Sequence, residues 1–322
     1  MLVVGENGAG KTNLLEAMHL GTQGFSPRTR SEGQLIRFGE AASRLALQVV
    51  RDGVQHAISV KLSTASGKAA ELDGARLPSA DALRREFPAL VFTPDRLAVV
   101  KGGPAVRRAY FDRVLGRLTP ARGGVPQEYA ATLAQRNAAL RRVQLGLAPQ
   151  AALVPWTERV ADLGARLTGA RAEAIALLGP GFAERASELG LPDGLLSYTA
   201  EPSTTAALEA RLETDIARGT TGLGPHLDDV RISSGGRDLR SFGSQGEQRL
   251  ALLSLLLAEA ELLPSAPLLL LDDVLSELDA HRRRILAERI AGMEQTVITA
   301  TQRSALPVEP NQVVEVTPGQ AV

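Results

Sequence analysis

Gly5-Glu6-Asn7-Gly8-Ala9-Gly10-Lys11-Thr12 stands between the apolar run Met1-Leu2-Val3-Val4 and residues 12–20, which read as a helix. The stretch matches G-x-x-x-x-G-K-[ST] without a gap, and strand–turn–helix is the context that pattern requires. Glycine lets the backbone wrap so that successive amides point inward at phosphate oxygens. The following helix offers its N-terminus, with its partial positive charge, to the same anion. The reading assigns Gly5, Glu6, Asn7, Gly8, Ala9, Gly10, Lys11, Thr12 and the adjoining Asn13 to a nucleotide. Lys11 is expected to reach the β- and γ-phosphates, and Thr12 to present its hydroxyl to Mg²⁺.

Farther along, Leu268-Leu269-Leu270-Leu271 is bounded by Pro267 and by Asp272-Asp273. Four apolar residues between such boundaries mark a central parallel strand. Side chains alternate along a strand, so the two acids cannot both point the same way. Asp272 is assigned to the Mg²⁺ side, and Asp273 to orienting or activating the water that attacks the γ-phosphate.

Composition sets the frame around these motifs. The chain has 322 residues, 44% hydrophobic and 22% charged, with no cysteine. That describes a folded globular chain and excludes disulfide scaffolds, thiolate metal sites and cysteine nucleophiles. Lys+Arg and Asp+Glu are both 36, so no global field draws the protein to nucleic acid or to a membrane. Residues 101–180 nevertheless carry 12 Lys/Arg against 5 Asp/Glu. Neither a membrane-spanning run nor a secretory signal is read, so a cytoplasmic location is expected.

The secondary-structure reading places two strands within 45–62, joined near Asp52-Gly53, and another at 90–92. From 107 to 178 the spacing is helical, interrupted at Thr119-Pro120, Gly123-Gly124 and Pro149 and ended by Pro180-Gly181. A helix over 206–218, a strand over 230–232, a long helix after Gly246, a helix over 281–290 and a strand over 297–299 complete it. The expected architecture is α/β, with an inserted helical region. Its boundaries are 1–105, the N-terminal α/β part with the phosphate loop; 106–218, the helical insertion; and 219–322, the C-terminal α/β part with the acidic strand.

Ser244-Gln245-Gly246-Glu247-Gln248 resembles the signature sequence of the ABC ATPase superfamily, and Ser276-Glu277-Leu278-Asp279 resembles its D-loop. A closer resemblance rests on six blocks. Three are the phosphate loop through Asn13-Leu14-Leu15-Glu16-Ala17, Arg107-Arg108-Ala109-Tyr110-Phe111-Asp112, and Gln135-Arg136-Asn137-Ala138-Ala139-Leu140. The others are Gly224-Pro225-His226-Leu227-Asp228-Asp229, the signature through Arg249, and Leu271 to the end of the D-loop. In this order they resemble the RecF family of bacterial recombination-repair ATPases. The resemblance implies an ABC-type P-loop head with an inserted α-helical arm. It also implies ATP and Mg²⁺ as ligands, an ATP-dependent homodimer and slow, DNA-stimulated hydrolysis. The implied partners are gapped or single-strand/duplex DNA, mediators of the RecR and RecO type and, indirectly, RecA and SSB. It places Ser244 and Gly246 on the γ-phosphate of a second subunit's nucleotide, giving Lys11, Ser244 and Asp273 as the catalytic set and Thr12 and Asp272 as the metal set.

Three departures from the family accompany this. The family normally carries further strands ahead of the phosphate loop. This sequence opens almost on it, through a late start or as a fragment; if the protein starts at Met1, its sheet is expected to lack an edge. Leu227 replaces a customary arginine, removing a cation beside Asp228 and Asp229. The signature lacks one glycine, a substitution usual within the family. Among single residues, His226 reads as a structurally bonded loop histidine, His281 as solvent-facing and Trp156 as helix packing. Arg107 and Arg108 stay open between surface charge or a domain-interface pair and contact with the DNA phosphate backbone. The alternative family, the ATP-binding subunit of a membrane transporter, shares the loop, signature and acidic strand. It places them closer than the 233 residues from Lys11 to Ser244, and usually carries a histidine where Ala300-Thr301 stand.

Overall fold

The computed structural model describes residues 1–29, 31–51, 53–79, 81–276 and 278–321. Asp52 of the expected turn and Glu277 of the expected D-loop lie outside them. The chain begins β1 (Leu2–Val4), α1 (Lys11–Gln23), β2 (Ala42–Arg51), β3 (Val54–Ser63), β4 (Gly67–Leu72), β5 (Ala75–Arg76), α2 (Asp81–Glu86) and β6 (Ala89–Phe92). It continues with α3 (Ala98–Lys101), α4 (Pro104–Leu118), α5 (Val125–Gln144), α6 (Val154–Glu188), β7 (Leu195–Thr199), α7 (Thr205–Ala210) and α8 (Leu212–Arg218). Next are β8 (Asp229–Ser234), β9 (Arg237–Asp238), α9 (Leu239–Phe242), α10 (Gln245–Leu262), β10 (Leu268–Leu271), α11 (Ala280–Ala291), β11 (Thr296–Ala300), β12 (Val313–Thr317) and β13 (Gln320–Ala321).

Two compact units result, one of 1–96 with 263–322, the other of 97–262. In the first, a six-stranded sheet runs β13-β12-β1-β11-β10-β6. All its pairings are parallel except that of β12 with β13. Parallel strands buried on both faces require continuous apolar runs, which Leu268–Leu271 supplies. Val3, Val91, Leu270 and Val297 form a core with Leu15 of α1. β1 is an interior strand between β11 and β12.

A second sheet of the same unit, β2-β3-β4-β5, is antiparallel. Alternation along β2 turns Leu45, Leu47 and Val49 toward Ile58, Val60, Leu83 and Phe87. Helix α1 lies close to β2: a Cβ at Gly21 would meet Leu47 Cδ1 at 2.2 Å, so a larger residue here would displace the Leu47 side chain.

The second unit is mainly helical, with the antiparallel sheet β7-β8-β9. The long α6 runs through Pro180, where the sequence reading ended the helical region. Proline removes one backbone donor inside a helix; here buried Leu178, Phe182 and Ala186 anchor the turns on both sides. The single helix expected over 206–218 breaks at Arg211 into α7 and α8. Helix α10, which the sequence reading grouped with the last segment, folds within the second unit. Its Leu250, Leu252, Leu253 and Leu255–Leu257 are buried there.

Charged groups build part of this unit's core. Arg136 and Asp215 are both fully buried and pair at 2.9 Å. Arg136 also donates to the hydroxyls of Thr221 (2.6 Å) and Thr157 (3.2 Å), and Asp215 accepts the Gly222 N–H at 3.0 Å. Removing one partner strands a buried charge. Asp215→Ala is therefore expected to cost about 3–5 kcal/mol, measured as a lowered urea midpoint.

His226 Nδ1 lies 2.8 Å from the Tyr129 hydroxyl and Nε2 lies 3.0 Å from the Thr221 carbonyl. Nε2–H donates to that carbonyl and Nδ1 accepts from tyrosine, a neutral ring. Burial holds its pKa below the ordinary histidine value, with proximity to Arg108 acting the same way. On acidification the unfolded chain takes up this proton first, so stability falls as pH drops below about 6.5. His226→Gln is expected to flatten that part of the stability–pH curve, followed by urea unfolding at stepped pH.

Candidate functional site

The loop 5–10 leaves the end of β1 and closes on α1. Gly8 and Gly10 hold φ of 84° and 109°, a region other residues adopt at a cost. Gly10 is the N-cap, so the helix begins at Lys11. The Lys11 ammonium folds over its own loop, donating to the carbonyls of Gly5 (2.8 Å) and Glu6 (2.9 Å), and the residue is 9% exposed. A fixed cation thus lies inside a turn that ends on a helix N-terminus. Glu6, Asn7, Gly8 and Asn13 are exposed, and Ala9 is buried.

Asp272 follows β10, and its amide extends the ladder by donating to Phe92 O at 2.9 Å. In the strand order β11 separates β10 from β1, and the three strands end on the same edge because they are parallel. Open α/β sheets bind ligands at that carboxyl edge. The Asp272 carboxylate, in a residue 5% exposed, accepts from the Thr12 hydroxyl at 2.9 and 3.1 Å. It also accepts the Thr299 hydroxyl from β11 at 2.8 Å. Asp273 is exposed and takes a left-handed φ of 50°. Asp272 is thus buried among hydroxyl donors, whereas Asp273, past the end of the strand, is exposed. A hard hydroxyl and a hard carboxylate oxygen at the phosphate loop suit Mg²⁺, which keeps waters and phosphate oxygens as its remaining ligands.

Ser276 donates to Asp273 O at 3.0 Å, tightening the turn past the acids. Asp279 caps α11, accepting the Arg282 amide at 2.9 Å; that bond holds its carboxyl below the usual range. His281, in the first turn of α11, is exposed.

Ser244 and Gly246 belong to the second unit, at the start of α10. Ser244 donates its amide to the Glu247 carboxylate at 2.7 Å and accepts the Glu247 amide on its hydroxyl at 3.2 Å. This reciprocal arrangement is a capping box. The bonds from Ser244 hold the Glu247 carboxyl below its ordinary pKa. Gln248 turns inward and donates to the carbonyls of Leu239 and Gly243.

Beside Leu227, Asp229 and the Asp228 carbonyl take arginines from α4. Arg107 forms a two-pronged pair with Asp229 at 2.8 and 2.6 Å and is 2% exposed, an internal pair closed to solvent phosphates. Arg108 donates to the Asp228 carbonyl at 2.6 Å, and Tyr198 donates to its carboxylate. Leu227 itself points outward, 57% exposed. Trp156 is half-buried in the first turn of α6. Two residues of these arrangements were missed in the sequence. Thr299 is a lone hydroxyl among Val297, Ile298 and Ala300, and Glu247 completes an S-x-x-E pattern that could have been read directly.

The family model described as the RecF/RecN/SMC N terminal domain matches residues 1–321. A DNA replication and repair protein RecF from Heliobacterium modesticaldum is 36% identical, over 96% of this chain and 88% of its own. One from Anaeromyxobacter sp. strain K is 38% identical, over 94% and 86%. Among solved structures, the recombination mediator RecF–ATP of the RecFOR pathway superposes with a TM-score of 0.87 at 28% identity, covering all of this chain and 90% of the other. The Smc head domain from Pyrococcus furiosus reaches 0.59 at 16% identity, covering all of this chain and 89% of the other, a likeness of fold. No helix among the described residues is long and apolar enough to cross a membrane. With its ABC/SMC-type head fold and its family match along nearly the full length, the chain belongs to the RecF family of DNA replication and repair proteins.

Proposed function

We propose that this chain binds ATP on the loop 5–12 and uses it as a switch for dimerisation on gapped or single-strand/duplex DNA. The reading is carried by the Thr12–Asp272 bond, which ties the phosphate-loop helix to the acidic strand. Lys11 neutralises the β- and γ-phosphates, and the loop amides with the α1 N-terminus hold their oxygens. Thr12 and Asp272 would hold Mg²⁺, which would supply further neutralisation of phosphate charge. Asp273 orients the attacking water. Ser244 and Gly246 of the partner subunit close on the γ-phosphate, so hydrolysis removes the group that both protomers share. That phosphate takes the place of the Glu247 carboxylate at the head of α10, exchanging one anion for another. Mediators of the RecO and RecR type, and through them RecA and SSB, are the proposed protein partners, in keeping with the pathway named for the RecF–ATP structure. The transporter reading has no comparable support.

The test is fluorescence anisotropy of a gapped duplex with and without ATP and Mg²⁺. ATP-dependent binding supports the switch, and binding indifferent to ATP overturns it. Lys11→Met is expected to weaken ATP binding about 10- to 100-fold, the worth of a charge-assisted hydrogen bond. It should also abolish ATP-dependent dimerisation in light scattering. Asp273→Asn is expected to retain the ATP-induced dimer while turnover falls about 100-fold or more, read by phosphate release.

A further inference from the structure

We infer that Thr299 is a positioning residue for both acids of the nucleotide site; the inference rests on the ATP reading above. Its side chain is fully buried at the end of β11, beside Val297, Ile298 and Ala300. It is in register with Val3 of β1, two residues before the phosphate loop, and β11 also pairs with β10. It is therefore placed between the strand that feeds the phosphate loop and the strand that ends in the acids.

A hydroxyl has one proton to give and lone pairs to receive. Thr299 gives its proton to Asp272 Oδ1 (2.8 Å) and receives the Asp273 amide (2.8 Å). The first bond commits one carboxylate oxygen inward and leaves Oδ2 with its shorter contact to Thr12, on the side of the phosphate loop. The second fixes the backbone of Asp273 at its left-handed φ of 50°. Non-glycine residues reach that region at a cost, and such strain persists where surrounding bonds hold it. Valine has the same shape and would suit the apolar strand, so the hydroxyl is explained by the two bonds it makes. One atom thus sets the carboxylate that faces Mg²⁺ and the backbone that aims the acid for water.

The test compares wild type with Thr299→Val and Thr299→Ser, each titrated with a fluorescent ATP analogue with and without Mg²⁺. Thr299→Val is expected to bind the analogue without Mg²⁺ within about twofold of wild type. It should lose the gain in affinity that Mg²⁺ confers, and its turnover should fall about tenfold or more with little change in KM. Thr299→Ser should restore both. Thr299→Ala removes the same hydroxyl and is read identically if the valine variant does not fold. A folded hydroxyl-free variant with the wild-type Mg²⁺ gain and turnover overturns the inference. So does a variant whose metal-free binding and melting temperature fall while the Mg²⁺ gain remains. Wild type that fails to bind the analogue at all brings down the ATP reading itself.

Discussion

The Asp272 carboxylate is nearly buried, and a buried carboxylate is costly unless its oxygens are matched by donors. Here the donors are hydroxyls from the first turn of α1 and from the end of β11, while the residue's own amide extends the ladder to β6. The four segments are brought together only if β1, β11, β10 and β6 are parallel and end level. Parallel order demands crossovers, and the crossovers contain the rest of the molecule. The chain between β6 and β10 is the whole helical unit. The acid that makes the phosphate edge chemically useful is thus also a constraint on how the strands must be arranged.

The helical unit handles charge in a different way. Its middle region is rich in arginine, but several of these cations face inward. Arg107, Arg136 and Arg171 are buried and pair with Asp229, Asp215 and Asp112, and Arg117 meets the fully buried Glu259. Burial alone would lower the pKa of Arg117, yet the pairing with Glu259 raises it above the ordinary value. Breaking such a pair by removing one partner leaves an unmatched buried charge. A positive excess counted along the sequence therefore overstates the cationic surface. Arg141 and Arg142 remain exposed, whereas Arg107 is spent on the fold.

The phosphate loop and the acidic strand were legible because their chemistry is local: six or eight consecutive residues hold the whole signal. The α/β ends and the helical middle were legible from periodicity. What failed depended on distant partners. Pro180 reads as a stop, but helix α6 is held on both sides of it by side chains whose contacts no local window contains. Thr299 reads as an ordinary strand threonine until β11 is seen to lie between β1 and β10. Strand order is a tertiary property, and the roles that follow from it are invisible beforehand.

The backbone at Asp273 shows why residue type at such a site carries two meanings. Aspartate and asparagine enter the left-handed region more readily than other non-glycine residues, because their short polar side chains bond locally. The position therefore selects for this pair on conformation, and for aspartate over asparagine on charge. Asparagine isolates the second requirement, since it keeps the first. Alanine confounds them by adding strain to the loss of the carboxylate. The same logic applies to Thr299, where serine keeps the hydroxyl and valine keeps the shape. In this head, chemistry and conformation are carried by the same few side chains, and only substitutions that hold one of them constant can separate the two.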